Sequence, residues 1–251
     1  KKVHLFSIVA FSVVLMGLVL SYSRAAWLSI LFTIGVWIIL LLKIRFKPLF
    51  LTFVGLIALF FAFQTQILMK LESNSEQSSA NMMTHISSMS NITTDASNLE
   101  RINRWSCALR MFADKPVLGF GPGTYMFQYA SYQLNKDRTI ISTNAGDGGN
   151  AHSEYLGPLS ESGVMGLLTF LLLIIVVIYT AVNTYTRVKD PRLKQIVLAA
   201  LLGLITYYVH GLLNNFLDTD KLSVPFWGFT AMIVAIDIIS RKENNIEILK
   251  K

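Results

Sequence analysis

The sequence predicts an all-α, polytopic membrane protein with about six transmembrane helices and one large polar insert. The first observation is composition: 53% of the 251 residues are apolar, only 15% are charged and the mean hydropathy is +0.52, too apolar for an ordinary soluble domain. The second is that six apolar runs approach the ~20 residues that a helix needs to cross ~30 Å of hydrocarbon. The third is that lysines and arginines concentrate in short segments at one end of those runs.

The six predicted spans form two groups of three on either side of the polar insert at residues 64–163. Lys1 and Lys2 precede the first run as they would precede a signal peptide, but no small-residue cleavage site follows and a second apolar run begins at once. We therefore interpret the first run as a span. The spans are residues 3–20, 25–42, 48–63, 164–182, 196–213 and 224–239, which divides the chain into predicted units 1–63, 64–163 and 164–251.

The basic residues of the short connecting segments set the predicted orientation. If the N-terminus is inside, every short inside segment is basic, as the positive-inside rule requires. This orientation places Lys43, Lys194 and Lys251 in the cytoplasm. It places Cys107 and the rest of the polar insert on the outer side.

Charge and cysteine content exclude several classes of function. The net charge of +7 does not indicate nucleic-acid binding, because the basic residues are mostly topology determinants and the insert itself is slightly acidic. The lone Cys107 excludes an intramolecular disulfide, and one cysteine with scattered histidines gives no metal-ligand spacing. We therefore expect no nucleic-acid partner, no metal site and no cofactor.

An amphipathic helix is predicted at residues 99–113, after a polar stretch at 73–98 that we interpret as a loose loop. Arg101 borders the predicted apolar stripe, whereas Arg104 and Arg110 are predicted to face outward as solvated surface charges. Proline after Lys115 ends this helix. The apolar residues that recur every three or four positions, and that we expect to be buried, are Ile102, Trp105, Leu109 and Phe112.

The glycines at positions 119, 121 and 123 predict a sharp structural turn after this helix. They do not form a nucleotide-binding motif, because the six-position glycine pattern and its strand-to-helix context are both missing from the sequence. We therefore expect the turn to position the preceding helix.

His152 is the first candidate for chemistry. Asn150 is a suitable N-cap, which would place His152 in the first turn of a helix that also carries Tyr155, Leu156 and Leu159. The positive end of a helix dipole favours a nearby anion and a neutral imidazole. The alternative is that His152 has only a structural role. Its position shortly before a span, near the membrane surface, makes this alternative weaker.

Arg24 and His210 are the other candidates next to the membrane. Arg24 lies between the first two spans on the outer side, against the positive-inside bias, where lipid phosphates or loop carboxylates are its expected partners. A snorkelling surface charge is the alternative. His210 and Asp218 lie around the outer end of the fifth span, where a hydrogen bond to a neighbouring helix would also explain the histidine.

Four segments in the same order resemble motifs of the O-antigen ligase and polymerase superfamily of bacterial envelope proteins. Residues 23–27 (SRAAW) resemble its S-R-[GA]-A-W turn, and residues 101–105 (RINRW) resemble its R-x-x-x-W loop helix. Residues 114–123 (DKPVLGFGPG) resemble D-x-P-[LI]-x-G-x-G-x-G, and residues 152–166 resemble H-[NS]-E-[YF]-L followed by E-x-G-x-x-G. The superfamily usually has further N-terminal spans, so we expect this chain to be its C-terminal portion.

The resemblance implies a metal-independent glycosyltransferase of the GT-C-like class in the bacterial inner membrane, with its large loop in the periplasm. The implied donor is a glycan on undecaprenyl diphosphate. By matching positions, Arg24 and Arg101 would hold the diphosphate, and His152 would activate the acceptor hydroxyl or stabilise the leaving group. Further candidates for substrate binding are Arg104, Tyr155 and His210.

The main interpretation is O-antigen ligation to lipid A-core. An O-antigen or capsule polymerase and a protein O-oligosaccharyltransferase are alternatives within the same superfamily, with another glycan or a protein as acceptor. A transporter of lipid-linked glycans and a non-catalytic assembly subunit are alternatives of another class. A transporter would be expected to carry charge inside its spans, where His210 and Asp237 are nearly alone.

Overall fold

A computed structural model describes residues 2–21, 23–42, 96–139, 142 and 149–249, with the backbone alone at 2–4, 24, 96–98 and 243–249. Every regular element among these residues is helical, which confirms the all-α prediction. The third predicted span, 48–63, and most of the predicted loop at 73–98 lie outside the described residues. The helices are α1 (Lys2–Leu20), α2 (Arg24–Leu41), α3 (Ala96–Asp114), α4 (Tyr125–Gln128), α5 (Leu156–Arg187), α6 (Pro191–His210) and α7 (Asp220–Leu249), with 3-10 turns at Tyr129–Tyr132 and Asn135–Asp137.

Three of the described helices are long and apolar enough to cross a membrane: Leu156–Arg187, Pro191–His210 and Asp220–Lys242. α1 and α2 contain the shorter apolar helices Leu5–Leu20 and Ala25–Leu41. Large apolar side chains cover the outside of these helices, as lipid contact requires and as water would disfavour. The chain is therefore a helical membrane protein, and its number of spans stays a prediction.

α6 lies at the centre of the membrane bundle, where it packs against α2, α5 and α7. It begins with Pro191 at its first position, and Asp190 caps it by accepting a hydrogen bond from the Arg192 amide at 2.8 Å. The hydroxyls of Thr33 on α2 and Thr206 on α6 lie 2.9 Å apart, which adds a polar contact between two otherwise apolar faces.

An ionic network joins α5 to α7 at one end of the bundle. The Asp237 carboxylate accepts from the Thr184 hydroxyl at 2.8 Å and from Arg241 Nε at 2.8 Å, and it pairs with Arg187. Arg187 Nη2 also donates to the Ser240 hydroxyl at 3.0 Å. Asp237 is therefore saturated with local partners and acts as a clamp between two helices, rather than as an open charge on a transport path.

The polar insert docks on α5 through glycines that let two backbone segments touch. Gly163 interrupts α5 with φ 65° and ψ −160°, and Gly119 has φ 64°. A Cβ at Gly163 would lie 2.3 Å from the Val117 carbonyl oxygen, and a Cβ at Gly119 would lie 2.3 Å from the Glu161 carbonyl carbon. Only glycine fits at both positions, so the turn at 119–123 has the structural role that was predicted.

Hydrogen bonds complete this junction. The Gly121 amide donates to the Glu161 carbonyl at 2.7 Å, and the Val164 amide donates to the Pro116 carbonyl at 2.7 Å. The Glu161 carboxylate accepts from the amides of Gly123 and Tyr125, both at 2.9 Å, and so satisfies donors at the start of α4. The junction thus fixes the end of α3, the start of α4 and the kink in α5 relative to one another.

We expect Gly163→Ala to undock the insert at a lower temperature than in the parent protein. This combination of φ and ψ, which is almost exclusive to glycine, costs ~1 to 3 kcal/mol for a residue with a Cβ, and the clash with Val117 adds to it. Cys107, the only cysteine in the sequence, is completely buried, so the temperature at which a thiol-specific fluorophore labels it in detergent reports this event. Gly228→Ala in α7, where a Cβ would meet no atom within 4 Å, is the matched control, and equal labelling temperatures for the two variants would contradict the junction.

Candidate functional site

α3 buries a mixed face, polar in its first half and apolar in its second, instead of the apolar stripe predicted from its spacing. The helix itself is confirmed, but Ile102 and Leu109 of the predicted stripe are 42% and 51% exposed. The stripe prediction is wrong because the polar side chains of the opposite face find partners within the insert, which removes the cost of burying them. The buried residues of α3 are Glu100, Asn103, Arg104, Cys107, Ala108 and Met111.

Arg104 connects α3 to the segment that precedes α5. Its side chain is buried rather than solvated, so the outward prediction is wrong. Nε donates to Glu100 Oε1 at 2.9 Å, Nη1 donates to the Asn150 carbonyl at 3.2 Å, and the guanidinium lies 5.0 Å from the centre of the Tyr129 ring. These contacts give Arg104 a positioning role, and its predicted contact with substrate stays a prediction.

Arg110 also belongs to the internal structure of the insert. Its Nε donates to the Tyr132 carbonyl at 2.7 Å, and its Nη1 lies 3.5 Å from Asp137 Oδ2. The prediction that Arg110 faces outward as a solvated charge is therefore wrong as well. It joins α3 to the two 3-10 turns.

Glu100 accepts hydrogen bonds from several polar groups around the start of α3. Besides Arg104, its carboxylate accepts from the Thr139 hydroxyl at 2.9 Å and from the Ser142 hydroxyl. Burial acts to raise the pKa of Glu100, but the hydrogen bonds from Ser142, Arg104 and Thr139 outweigh it and lower the pKa below its ordinary value. Glu100 is therefore ionised, and its charge balances Arg104.

Arg101 is left without such a balance. Its Nε is buried and has no hydrogen-bond partner, and no carboxylate of the described residues forms an ion pair with it. Its positive charge is close enough to act on the imidazoles of both His152 and His210. An unsatisfied buried cationic group is unfavourable in an empty protein and is favourable once an anion binds to it.

His152 lies before α5 and not in its first turn, because the helix begins at Leu156. The predicted N-cap at Asn150 is wrong. The Ser153 hydroxyl instead accepts from the amides of Tyr155 at 3.3 Å and Leu156 at 3.4 Å. Asn150 and His152 therefore belong to an irregular segment that leads into the helix.

The backbone of His152 is held in a left-handed conformation with φ 47°, found at no other non-glycine among the described residues. Asn150 Oδ1 accepts from the His152 amide at 3.2 Å, and Trp105 Nε1 donates to the His152 carbonyl at 3.2 Å. Such strain costs ~1 to 3 kcal/mol and concentrates at functional sites, where the surroundings enforce it. Trp105 is thus a positioning residue. In the sequence, the only signal for it is its place in the RINRW segment.

The environment of His152 keeps its imidazole neutral. Burial, followed by the positive charges of Arg104 and Arg101, lowers the pKa of His152 to about 4. The neutral form was predicted, but the cause differs, because burial and two arginines act here in place of a helix dipole. At neutral pH the ring can therefore accept a proton or a hydrogen bond.

Glu154 connects the His152 segment to the connection between α6 and α7. Its amide donates to the Gly211 carbonyl at 2.8 Å, and its carboxylate accepts from the Tyr207 hydroxyl and from the amides of Phe216 at 2.7 Å and Leu217 at 2.9 Å. Burial raises the pKa of Glu154, against the effect of these hydrogen bonds. In the sequence, Glu154 stands out only as the glutamate of the H-[NS]-E-[YF]-L motif, and the motif alone assigned it no role.

His210 ends α6 beside the first turn of α2. Its ring hydrogen-bonds to the backbone of Ala25, lies 3.2 Å from the Asn214 amide nitrogen through Nε2 and stacks on Phe216 with ring centres 5.7 Å apart. Arg24 is the first residue of α2 and directly precedes Ala25, although its side chain lies outside the described residues. The start of α2 and the end of α6 therefore meet through Ala25 and His210, and the charge of Arg101 acts on the same imidazole.

Tyr155 uses its hydroxyl within the bundle. The hydroxyl donates to the Tyr208 carbonyl at 2.8 Å, and the ring packs edge-on against Phe170 with centres 5.4 Å apart. The substrate-binding role of Tyr155 stays a prediction.

We expect Arg104→Ala to destabilise the insert and Arg101→Ala to leave its stability nearly unchanged. Removing Arg104 leaves the buried Glu100 carboxylate without its cation, which costs on the order of 3 kcal/mol. Removing Arg101 deletes a side chain whose Nε has no hydrogen-bond partner and which forms no ion pair with a carboxylate of the described residues. Thermal labelling of Cys107 measures both variants, and a larger loss for Arg101→Ala than for Arg104→Ala would contradict these roles.

A comparison with known protein families finds most of these residues within the range of a single family profile. The sequence profile of a family described as O-antigen ligase matches residues 9–171, more than half of the chain. The matched range contains α2, α3 and the His152 segment, and it ends before His210. No curated protein matches the chain.

Proposed function

The chain belongs to the O-antigen ligase family, and on this premise we propose that it transfers a glycan from undecaprenyl diphosphate to an acceptor at the periplasmic face of a bacterial inner membrane. Family membership and the apolar helices make it a membrane-embedded enzyme of the glycosyltransferase type, with a lipid-linked glycan and a glycan acceptor as partners in general. The observation that carries the finer proposal is the buried Nε of Arg101, which has no hydrogen-bond partner, together with the neutral imidazole of His152, on which the charge of Arg101 acts.

Arg101 supplies the charge for the diphosphate. A guanidinium forms charge-assisted, often bidentate hydrogen bonds to phosphate oxygens, so a diphosphate would satisfy the Nε that the protein leaves unpaired. Arg24 would add a second cation from the start of α2, and the N-terminal end of a helix also favours an anion. Ser23 holds this helix start, because its hydroxyl accepts from the Ala26 amide at 3.3 Å.

The transfer step needs a base for the acceptor and charge stabilisation for the leaving group. The acceptor oxygen attacks the anomeric carbon and the bond from that carbon to the diphosphate oxygen breaks, so the electron pair leaves with undecaprenyl diphosphate and the configuration inverts. The neutral His152 accepts the hydroxyl proton, while Arg101 and Arg24 stabilise the departing charge. We propose that this step is metal-independent, because the guanidiniums take the role that divalent ions have in many soluble glycosyltransferases.

The distribution of charge supports a periplasmic site. Arg187 and Arg241 lie with Asp237 at one end of the bundle, next to the further basic residues Lys189, Arg192, Lys194 and Lys242. Glu154, Gly211 and the His152 segment lie at the other ends of α5 and α6. Basic ends favour the cytoplasm, which leaves the candidate site on the outer side.

O-antigen ligation to lipid A-core is the specific activity that we propose. The test supplies the purified full-length protein in proteoliposomes with undecaprenyl-diphosphate glycan and, in separate reactions, with lipid A-core, a second lipid-linked glycan or an acceptor protein. Glycan transfer to lipid A-core supports ligation. Transfer only to a second lipid-linked glycan or to protein would identify a polymerase or an oligosaccharyltransferase instead.

We expect Arg101→Ala to reduce the rate of transfer by roughly 30- to 1000-fold, which corresponds to the loss of ~2 to 4 kcal/mol of transition-state stabilisation. The initial rate with saturating acceptor measures the effect. Arg138→Ala is the matched control, because Arg138 is an exposed arginine of the same insert. Equal rates for the two variants at equal abundance would remove Arg101 from the site.

We expect His152→Asn to reduce transfer by ~100- to 10,000-fold, as the loss of a general base does, while undecaprenyl diphosphate still binds. Asparagine tolerates the left-handed backbone, so this variant removes the imidazole without adding the strain that alanine would introduce. Binding of radiolabelled undecaprenyl diphosphate and the rate of transfer are measured on the same preparation. An active His152→Asn protein would exclude the base role.

The pH dependence of kcat/KM tests the same residue in the free enzyme. Because the pKa of His152 is about 4, its neutral fraction stays nearly constant and kcat/KM should change little between about pH 7.5 and about pH 5.5. An acid limb centred between about pH 6 and about pH 7, where an unperturbed histidine titrates, would show that the base is a different histidine or that His152 is solvated.

A further inference from the structure

A cleft borders the His152 segment, but none of the cationic candidates lines it. The cleft, of about 520 Å³, lies between the turn before α4, the segment that leads into α5 and the connection between α6 and α7. Its walls include Gly123, Asn150, Glu161, Asn215 and Asp218. Arg101, His152 and His210 do not line it, and no lysine or arginine does.

The cleft is rich in hydrogen-bond acceptors, with three carboxylates in its lining, those of Glu154, Glu161 and Asp218, and the amide oxygen of Asn215. Asn215 Oδ1 is buried and has no partner, while its Nδ2 donates to Asp218 Oδ2 at 3.0 Å. The Glu161 carboxylate is already occupied by backbone amides, but it adds negative charge to the wall. A ligand that fits must therefore donate hydrogen bonds, and an anion would be repelled by Asp218 and Glu161.

Apart from Ser153 and Glu154, the rest of the wall is largely apolar. Pro122, Met126 and Pro158 line it next to the ring of Tyr125, and the Tyr125 hydroxyl is turned away to donate to the Arg104 carbonyl at 2.8 Å. Apolar surface with a few fixed acceptors is the lining of a site for an uncharged small ligand. A sugar ring has this complementarity, because it presents hydroxyl donors at its edge and C–H groups on its faces.

We propose that this cleft binds the sugar rings of a reacting glycan, while the diphosphate lies at Arg101; this division of the substrate rests on the proposed function. Asn150 connects the two places, because it lines the cleft and its Oδ1 holds the amide of His152. A sugar in the cleft therefore lies against the residue that orients the base. A metal ion fits less well, since no group of three or more metal-ligating His, Cys, Asp or Glu side chains occurs in the described part of the chain.

Gly157→Trp tests the cleft by filling it. Gly157 lines the cleft, and a Cβ added there meets no atom within 4 Å, so the indole has room to enter without disturbing the backbone. The probes are two water-soluble oligosaccharides without lipid or diphosphate: one released from the undecaprenyl-linked glycan and one dephosphorylated oligosaccharide from lipid A-core. Isothermal calorimetry measures each Kd on the full chain in nanodiscs, and a radiolabelled undecaprenyl diphosphate assay runs in parallel.

We expect at least one oligosaccharide to bind the parent protein, and Gly157→Trp to weaken it by at least about tenfold without affecting undecaprenyl diphosphate. Gly157→Ala should weaken it far less. The oligosaccharide that loses affinity shows whether the cleft holds donor or acceptor sugar. Asp220→Asn is the matched surface control, because Asp220 is exposed and lies outside the cleft.

Several results would overturn the proposal. They are binding of neither oligosaccharide to the parent protein, unchanged oligosaccharide binding in Gly157→Trp, or a loss that falls on undecaprenyl diphosphate instead. Asn215→Leu, which removes the unpartnered acceptor, carries the test if the tryptophan variant does not fold. Failure of the proposed function has a different signature: no transfer to any acceptor, together with oligosaccharide binding that still disappears in Gly157→Trp.

Discussion

The buried ion pair between Glu100 and Arg104 is the interaction on which the candidate site depends. It neutralises one of two adjacent arginines and directs the guanidinium of Arg104 at the Asn150 carbonyl. Asn150 in turn holds the amide of His152. Glu100 is engaged with Arg104, and no ion pair joins a carboxylate of the described residues to Arg101. A single carboxylate therefore determines both the position of the histidine and the charge next to it.

The insert reaches the membrane helices through backbone contacts, which explains how a site on a loop segment can be rigid. At one junction, Gly119 and Gly163 allow the turn and the kinked helix to touch. At the other, Glu154 binds the amides of Phe216 and Leu217 beyond the end of α6. Both junctions bracket the segment 154–163, so the start of α5 is held from two sides. The segment next to His152 is therefore held rigidly by its contacts with the rest of the protein.

Local sequence signals predicted the helices and the turn. Contacts between residues distant in sequence determined which helix faces are buried. The existence of α3, its end at Asp114 and the glycine turn follow from periodicity, proline and glycine, which act on neighbouring residues. The buried face of α3 does not follow, because the partners of Glu100 and Asn103 lie in residues 133–142. His152 illustrates the same limit. Ser153, and not Asn150, accepts hydrogen bonds from the amides at the start of α5, so His152 lies before the helix. Arg101 was found through its motif, whereas the unpaired state of its Nε required the structure.

The low basicity of His152 has a consequence for timing. Its pKa is depressed partly by the charges of Arg104 and Arg101, and the latter is the charge that an incoming diphosphate would cancel. Loading the donor would therefore make the imidazole a stronger base at the moment when a base is needed. The basicity of the histidine would thus depend on whether the diphosphate is bound. Donor binding and proton acceptance would be coupled through the charge of one arginine, without any movement of the backbone.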